Sequence, residues 1–199
     1  MSAIEFWFDF SSAYAYFAAA DIEALAARVG RTILWRPYML GTAFKATGAR
    51  GLSSTPLKRD YANRDWQRIA RLKGLPFRLP VGHPFTALGA MRAFYWIEAQ
   101  QAQAAPTFAA RVFRRYYTEG LDTSDVAAVA PLAADLGFAP DAVVEGALSP
   151  AIKERAKAIS EDAVARGIFG SPFFIVDGEP FWGHDRMPMM EDWIARGGW

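Results

Sequence analysis

Two segments at opposite ends of the chain carry residue types that could bind and activate a small nucleophile. Near the N-terminus runs Phe6-Trp7-Phe8-Asp9-Phe10-Ser11-Ser12-Ala13-Tyr14-Ala15-Tyr16, and near the C-terminus runs Phe169-Gly170-Ser171-Pro172-Phe173-Phe174-Ile175-Val176, followed by Phe181-Trp182-Gly183-His184-Asp185-Arg186. Ser12 stands where a short apolar run gives way to Ala-rich sequence. A hydroxyl at a helix start, beside free backbone N–H groups and the positive end of the helix dipole, suits an anion. The chain has no cysteine. Any thiol chemistry therefore needs a thiol from outside, and glutathione is the obvious carrier. A free thiol is only a few per cent ionised at neutral pH. Lowering its pKa by two units takes roughly 2.7 kcal/mol of preference for the anion. One charge-assisted hydrogen bond plus a helix terminus supplies about that much. Ser12 also fits a plain N-cap, and Ser11 competes for either role.

Other candidates cluster near these segments. Pro172 follows Ser171 and opens an apolar run. A cis bond there would turn the N–H and C=O of Ser171 toward a cleft, where they could pair with the backbone of an extended cysteinyl peptide. A trans proline at a strand start fits the sequence equally well. Asp185 suits an N-cap for the last helix and, at the same time, a partner for a ligand ammonium such as that of the γ-glutamyl group. His184 lies beside it as a loop histidine. A Gly-punctuated loop from Arg36 to Gly48 joins the second strand to the helical segment and ends near Lys45 and Lys58, and either lysine could bind a carboxylate. Arg36 is a further candidate for a substrate carboxylate. Trp7, Tyr14, Tyr16, Phe44 and Trp182 could wall an aromatic pocket or serve as core. With His83 the only other histidine, no histidine-based metal cluster is available, and no metal is expected.

The elements that must position these residues can be read from pattern. Ile4 to Phe10 is a buried-strand signal. Ser11-Ser12 and the Ala-rich run to Gly30 form a helix with a Ser cap and a Gly stop. Arg31 to Tyr38 is a second strand, completing a β-α-β unit. From about Thr55 to Arg166 no strand pattern occurs. Tyr61, Ile69 and Leu72 share one helical pattern; Pro84 opens another through Met91, Phe94 and Ile97; Phe108, Val112 and Tyr116 mark a third. Pro131 implies a kink or a new start. Ser149-Pro150 opens a helix that Gly167 stops. Phe173 to Val176, the Asp177-Gly178 turn and Pro180 to Trp182 make a hairpin, and Asp185 to Arg196 a closing helix. The order is β-α-β, helices, β-β-α. This predicts an α/β protein of thioredoxin-like fold with a large all-helical insertion after the second strand: residues 1–45 and 167–199 form the discontinuous thioredoxin-like domain and 46–166 the insertion.

Composition bounds the function. The chain has 199 residues, 52% of them hydrophobic, and a net charge of +1, so it can bury a sizeable core. Its scattered Lys and Arg argue against nucleic acid as a partner. No signal-peptide pattern precedes the first strand, and no apolar run reaches the ~20 residues of a membrane span. A soluble cytoplasmic protein is expected, and zero Cys fits a reducing compartment.

Together these segments resemble the 2-hydroxychromene-2-carboxylate isomerase family, which is similar to kappa-class glutathione transferases and to DsbA-like disulfide oxidoreductases. The resemblance rests on Phe8-Asp9-Phe10-Ser11-Ser12-Ala13-Tyr14-Ala15-Tyr16, on Arg36-Pro37 with Gly41 and Phe44-Lys45-Ala46-Thr47-Gly48, on Phe169-Gly170-Ser171-Pro172, and on Phe181-Trp182-Gly183-His184-Asp185-Arg186-Met187. It implies glutathione as cofactor, with Ser12 next to the sulfur, Ser171 before a cis-Pro172 contacting the tripeptide through its backbone, and Lys58, His184 and Asp185 at its termini. It also implies a homodimer. Ala13 stands where the family usually has Pro, and Ala49 where it often has Asn, which removes one side-chain contact. The expected activity is glutathione-dependent isomerisation of 2-hydroxychromene-2-carboxylate or a related aromatic catabolite. A kappa-like transferase and a non-enzymatic, peptide-binding thioredoxin-like module are the alternatives. Intrinsic disulfide oxidoreductase chemistry is excluded by the lack of cysteine.

Overall fold

The computed structural model describes residues 2–199. Strand β1 (Ile4–Phe8), helix α1 (Ala13–Arg28) and strand β2 (Ile33–Pro37) form the opening unit, with β1 and β2 parallel. The chain then runs through α2 (Leu40–Thr47), α3 (Lys58–Lys73), α4 (Leu88–Gln100), α5 (Ala104–Glu119), α6 (Val126–Val129), α7 (Pro140–Ala147) and α8 (Pro150–Ala165). It returns to the sheet as β3 (Phe173–Val176) and β4 (Glu179–Trp182) and closes with α9 (Met187–Arg196). The sheet order is β2-β1-β3-β4, with β3 antiparallel to both of its neighbours. This is a thioredoxin-like fold: a mixed sheet of four strands carrying nine α-helices among the described residues.

Strand alternation divides the sheet into two faces. Phe6, Phe8 and Trp35 point toward α1 and join a core that holds Phe17 and Ile22, and the Trp35 indole donates to Glu23 of α1 at 2.7 Å. Trp7 points the other way, into a smaller cluster with Ala163 and Ile168 beneath α8. Phe8 also packs against Phe113 of α5 and Phe94 of α4, at ring-centroid distances of 5.3 and 6.5 Å. Sheet and helical segment therefore bury a common core. Helix α2 crosses the expected 45/46 boundary without a break.

Four elements differ from the sequence reading. The stretch from Arg36 to Gly48, expected as a loop, is the end of β2 followed by helix α2, which Gly48 closes at φ 72°. The helix expected from Pro84 begins at Leu88, because the Phe85 N–H is tied to the Tyr116 hydroxyl at 3.2 Å instead of entering a helix. The buried stripe of α3 is Ala62, Trp66 and Ala70, at i, i+4 and i+8, while Tyr61 and Leu72 are exposed. The closing helix is split: His184–Arg186 is a 3₁₀ turn, and α9 starts at Met187 with Pro188 in its first turn, where a missing N–H costs nothing. Pro131 is the second residue of a 3₁₀ segment (Ala130–Leu136), and Ser149 caps α8 by accepting from Ile152 N–H.

Candidate functional site

Ser12 is the N-cap of α1, and its extended backbone turns the hydroxyl back over the first helical turn. Its Oγ accepts from Ala15 N–H at 3.3 Å and donates to the Ser171 carbonyl at 2.7 Å. The amides of Ala13 and Tyr14, in the first helical turn, have no intrahelical acceptor. The Ser171–Pro172 bond is cis. The two distant segments thus meet at one hydrogen bond. A second bond reinforces the join, with Asp9 N–H donating to Ser171 Oγ at 2.8 Å. Ser11 is settled elsewhere: both its N–H and its hydroxyl donate to Asp9 Oδ1.

Asp9 was not singled out from the sequence, yet it organises the site. It is 4% exposed, and its second carboxylate oxygen accepts from Leu40 N–H at 2.9 Å. One carboxylate thereby ties the end of β1, the start of α1 and the start of α2 together. Burial raises its pKa, and the donors from Ser11 and Leu40 oppose that rise. The available signal was a charged residue inside the aromatic run Phe6-Trp7-Phe8-Asp9-Phe10, since a buried carboxylate must find donors. Tyr38, also missed, donates from its buried hydroxyl to the Gly170 carbonyl at 2.7 Å. Gly170 has no room for a side chain, because a Cβ there would run into the Trp182 indole. Trp182 shields this loop while remaining 57% exposed.

His184 stacks on Tyr14, with ring centroids 5.2 Å apart and planes at 12°, and lies edge-on to Phe17. Burial against these rings lowers its pKa. Asp185, one residue on, is exposed and pairs with Arg186 at 3.5 Å. It lies in the 3₁₀ turn and caps no helix with its side chain. Tyr14 donates to Asp65 of α3 at 3.0 Å and lies edge-on to Trp66. Lys58, the first residue of α3, stands one turn before the buried stripe of Ala62, Trp66 and Ala70 and is exposed. Lys45 is exposed on the last turn of α2. Neither lysine forms an ion pair among the described residues.

Arg36 is not brought to Ser12. It neighbours Trp35, whose side chain faces α1, so Arg36 faces α8 and lines a groove of about 360 Å³ with Trp7, Arg155, Ile159, Asp162 and Arg166. Trp7 goes with it, away from the Ser12 cleft. Tyr16 is buried, with its hydroxyl donating to the Pro76 carbonyl at 2.9 Å. Phe44 sits half-buried on α2.

A serine hydroxyl and the first amides of α1 face a cis-proline loop on a thioredoxin-like sheet, in a chain with no cysteine. The model of the DSBA-like thioredoxin domain matches residues 3–195. A 2-hydroxychromene-2-carboxylate isomerase from Sphingobium xenophagum is 31% identical over 193 residues, covering 96% of this chain and 97% of that one. A glutathione S-transferase kappa 2 from Caenorhabditis elegans is 25% identical over 205 residues, covering 96% and 91%. A solved structure of a 2-hydroxychromene-2-carboxylate isomerase superposes with a TM-score of 0.85 at 29% identity, covering 98% of this chain and 95% of that one. The chain belongs to the DSBA-like thioredoxin domain family and, within it, to the family of the 2-hydroxychromene-2-carboxylate isomerases. No helix among the described residues is long and apolar enough to cross a membrane.

Proposed function

We propose that this chain is a glutathione-dependent isomerase of 2-hydroxychromene-2-carboxylate or a closely related aromatic catabolite, working as a cytoplasmic homodimer. The observation that carries the reading is the Ser12 hydroxyl at the start of α1, bonded to the Ser171 carbonyl in a chain with no cysteine. When glutathione enters, Ser12 turns its O–H from the Ser171 carbonyl to the sulfur. The freed carbonyl then accepts the cysteinyl N–H. The helix amides and the hydroxyl hold the sulfur as thiolate, and the displaced proton leaves to solvent. His184 and Asp185 receive the γ-glutamyl end, and Lys58 the glycine carboxylate. Lys45 is the candidate for the substrate carboxylate; Arg36, on the α8 face, is not.

The reaction is nucleophilic catalysis with a borrowed nucleophile. The thiolate adds to an electrophilic carbon of the substrate, and the ring C–O bond breaks. The carbon skeleton rotates about a bond made single by the addition. Elimination then breaks the C–S bond and returns the thiolate. No electron or atom is gained or lost overall. The kappa-class relative favours a second reading, in which the C–S bond is kept and glutathione is consumed.

One assay separates the two. The protein is mixed with 2-hydroxychromene-2-carboxylate and glutathione at a small fraction of the substrate concentration, and interconversion is followed by absorbance and mass spectrometry. The isomerase reading expects many turnovers per glutathione with the thiol recovered. One stable conjugate formed per glutathione spent, or no interconversion, would overturn it.

A further inference from the structure

The aromatic wall that begins at Tyr14 continues into the helical segment. Tyr14 lies edge-on to Trp66 at 6.0 Å, and Trp66 edge-on to His83 at 6.0 Å. His83 in turn packs 5.8 Å from Tyr116 and 6.4 Å from Tyr117 of α5. The wall therefore runs from the residues beside Ser12, across α3, to the segment before α4.

Within it, one pair is directional. The Tyr116 oxygen accepts from Phe85 N–H at 3.2 Å and lies 2.7 Å from His83 Nδ1. A phenol has a single proton. Tyr116 is buried, and among the described residues Nδ1 is the acceptor within reach of that proton, so the hydrogen-bond network assigns the proton to the Tyr116–Nδ1 bond and leaves Nδ1 unprotonated. The neutral ring then carries its proton on Nε2. Burial keeps the ring neutral by pushing its pKa down to about 4. Nε2 has no hydrogen-bond partner among the described residues and is not sealed from solvent, whereas the neighbouring Tyr117 hydroxyl is both sealed and unpartnered. Asp65, next to Trp66 in α3, accepts from Tyr14 and pairs with Arg68 at 2.7 Å, and no hydrogen bond joins it to His83. It leaves Nε2–H free for a ligand.

We propose that His83 Nε2–H, with Nδ1 capped by Tyr116, is the hydrogen-bond donor of an aromatic subsite walled by Tyr14 and Trp66, and that it takes a carboxylate or phenol oxygen of a planar hydroxyaromatic acid. The proposal deepens the isomerase reading and rests on it for the thiol's position: the thiol approaches from the Ser171 side, the ring from the α3 side. A neutral imidazole recognises by direction, not by charge, so it selects for where the ring oxygen sits. The net charge of the acid falls to Lys45, the candidate for the substrate carboxylate.

The test uses trans-2-hydroxycinnamate as an inert probe on the full chain, with and without S-methylglutathione, and histidine-ring ¹⁵N NMR. The chain has two histidines, and His184→Asn assigns their signals. We expect the Nε2–H tautomer for His83 and a shift of that resonance on adding the probe. His83→Phe should weaken the probe, and raise the KM for 2-hydroxychromene-2-carboxylate, by about tenfold, the value of one hydrogen bond. Its kcat should stay within about twofold. His83→Gln, which keeps an amide donor, should recover most of the affinity. Probe binding unchanged in His83→Phe, a protonated or Nδ1–H ring, or no probe binding to the native chain would overturn the proposal. Loss of binding in both His83→Phe and His83→Gln would also overturn it, since it marks a packing role. If the probe binds in a His83-dependent way while glutathione does not bind at all, the isomerase reading falls and the subsite stands.

Discussion

On the α8 face of the sheet, Arg166 closes on Glu5 through two hydrogen bonds of 2.8 Å, and Arg155 pairs with Glu98. On the α1 face, the Ser12 hydroxyl meets no charged side chain: it accepts from Ala15 N–H within its own helix and donates to the Ser171 carbonyl of a neighbouring loop. Both faces hold a tryptophan or tyrosine wall and half-buried polar groups. In the α8 groove Arg155 and Arg166 are paired with Glu98 and Glu5, while Arg36 forms no ion pair among the described residues. The α1 cleft keeps donors in hand, held in place by an acceptor that a ligand can replace. The proposed function puts the working side at the α1 face, not at the α8 groove with its arginines and its cavity of about 360 Å³. On that reading, donors held by a replaceable partner are the better guide.

The sharpest way to break the contrast is to remove what holds the α1 face together. Asp9→Leu leaves the Ser11 N–H, the Ser11 hydroxyl and the Leu40 N–H without an acceptor, at about 1–3 kcal/mol for each group that stays buried. Urea unfolding should show a loss of at least about 3 kcal/mol. A loss below about 1 kcal/mol would mean that Asp9 does not organise the site.

Acid tests the same face through His83. Unfolded, its ring protonates near pH 6.5; folded, only near pH 4. Below pH 6.5 the unfolded chain binds more protons, so this contribution to stability is complete above 6.5 and is lost as pH falls toward 4. The loss reaches about 3 kcal/mol. Asp9, with its raised pKa, acts in the opposite sense, so the measurement is the difference between native and His83→Phe stability curves. That difference should slope across pH 6.5 to 4 and be flat above it. A difference independent of pH would contradict the buried neutral ring.

Ser12→Ala sharpens the comparison at the chemistry. Losing the hydroxyl should cost turnover about 100-fold, equal to roughly 2.7 kcal/mol. Glutathione affinity should change only about threefold, because the backbone contacts remain. Unchanged turnover would remove Ser12 from the reaction. The smallest effect belongs to the other face: Arg36→Gln should leave kcat/KM within about twofold. A large loss there would erase the distinction between the faces.

The strands, the capped helices α1 and α8 and the thioredoxin order were legible because local pattern and turn chemistry decide them: Ser12, Ser149, Gly30 and Gly167 act within one helical turn of their position. Ser12 and Ser171 were legible as candidates, but their direct bond joins residues 159 apart and follows only from the sheet topology. Arg36 lies away from Ser12 for a related reason. Its type and loop position suggested an anion site, but strand alternation, set by Trp35 facing α1, turns it to α8. The start of α4 moved because a tyrosine 31 residues further on captures the Phe85 amide, a tertiary bond that overrides a good local helix signal. His83 gained its partner in the same way.

Calorimetric titration of the purified protein with reduced glutathione and with S-methylglutathione, each in two buffers of different ionisation enthalpy at neutral pH, tests the central claim most directly. The account predicts that reduced glutathione binds much more tightly than the methylated analogue and releases close to one proton per site. Equal binding of the two without proton release, or no binding of either, would contradict it and leave the Ser12 hydroxyl as a helix cap alone.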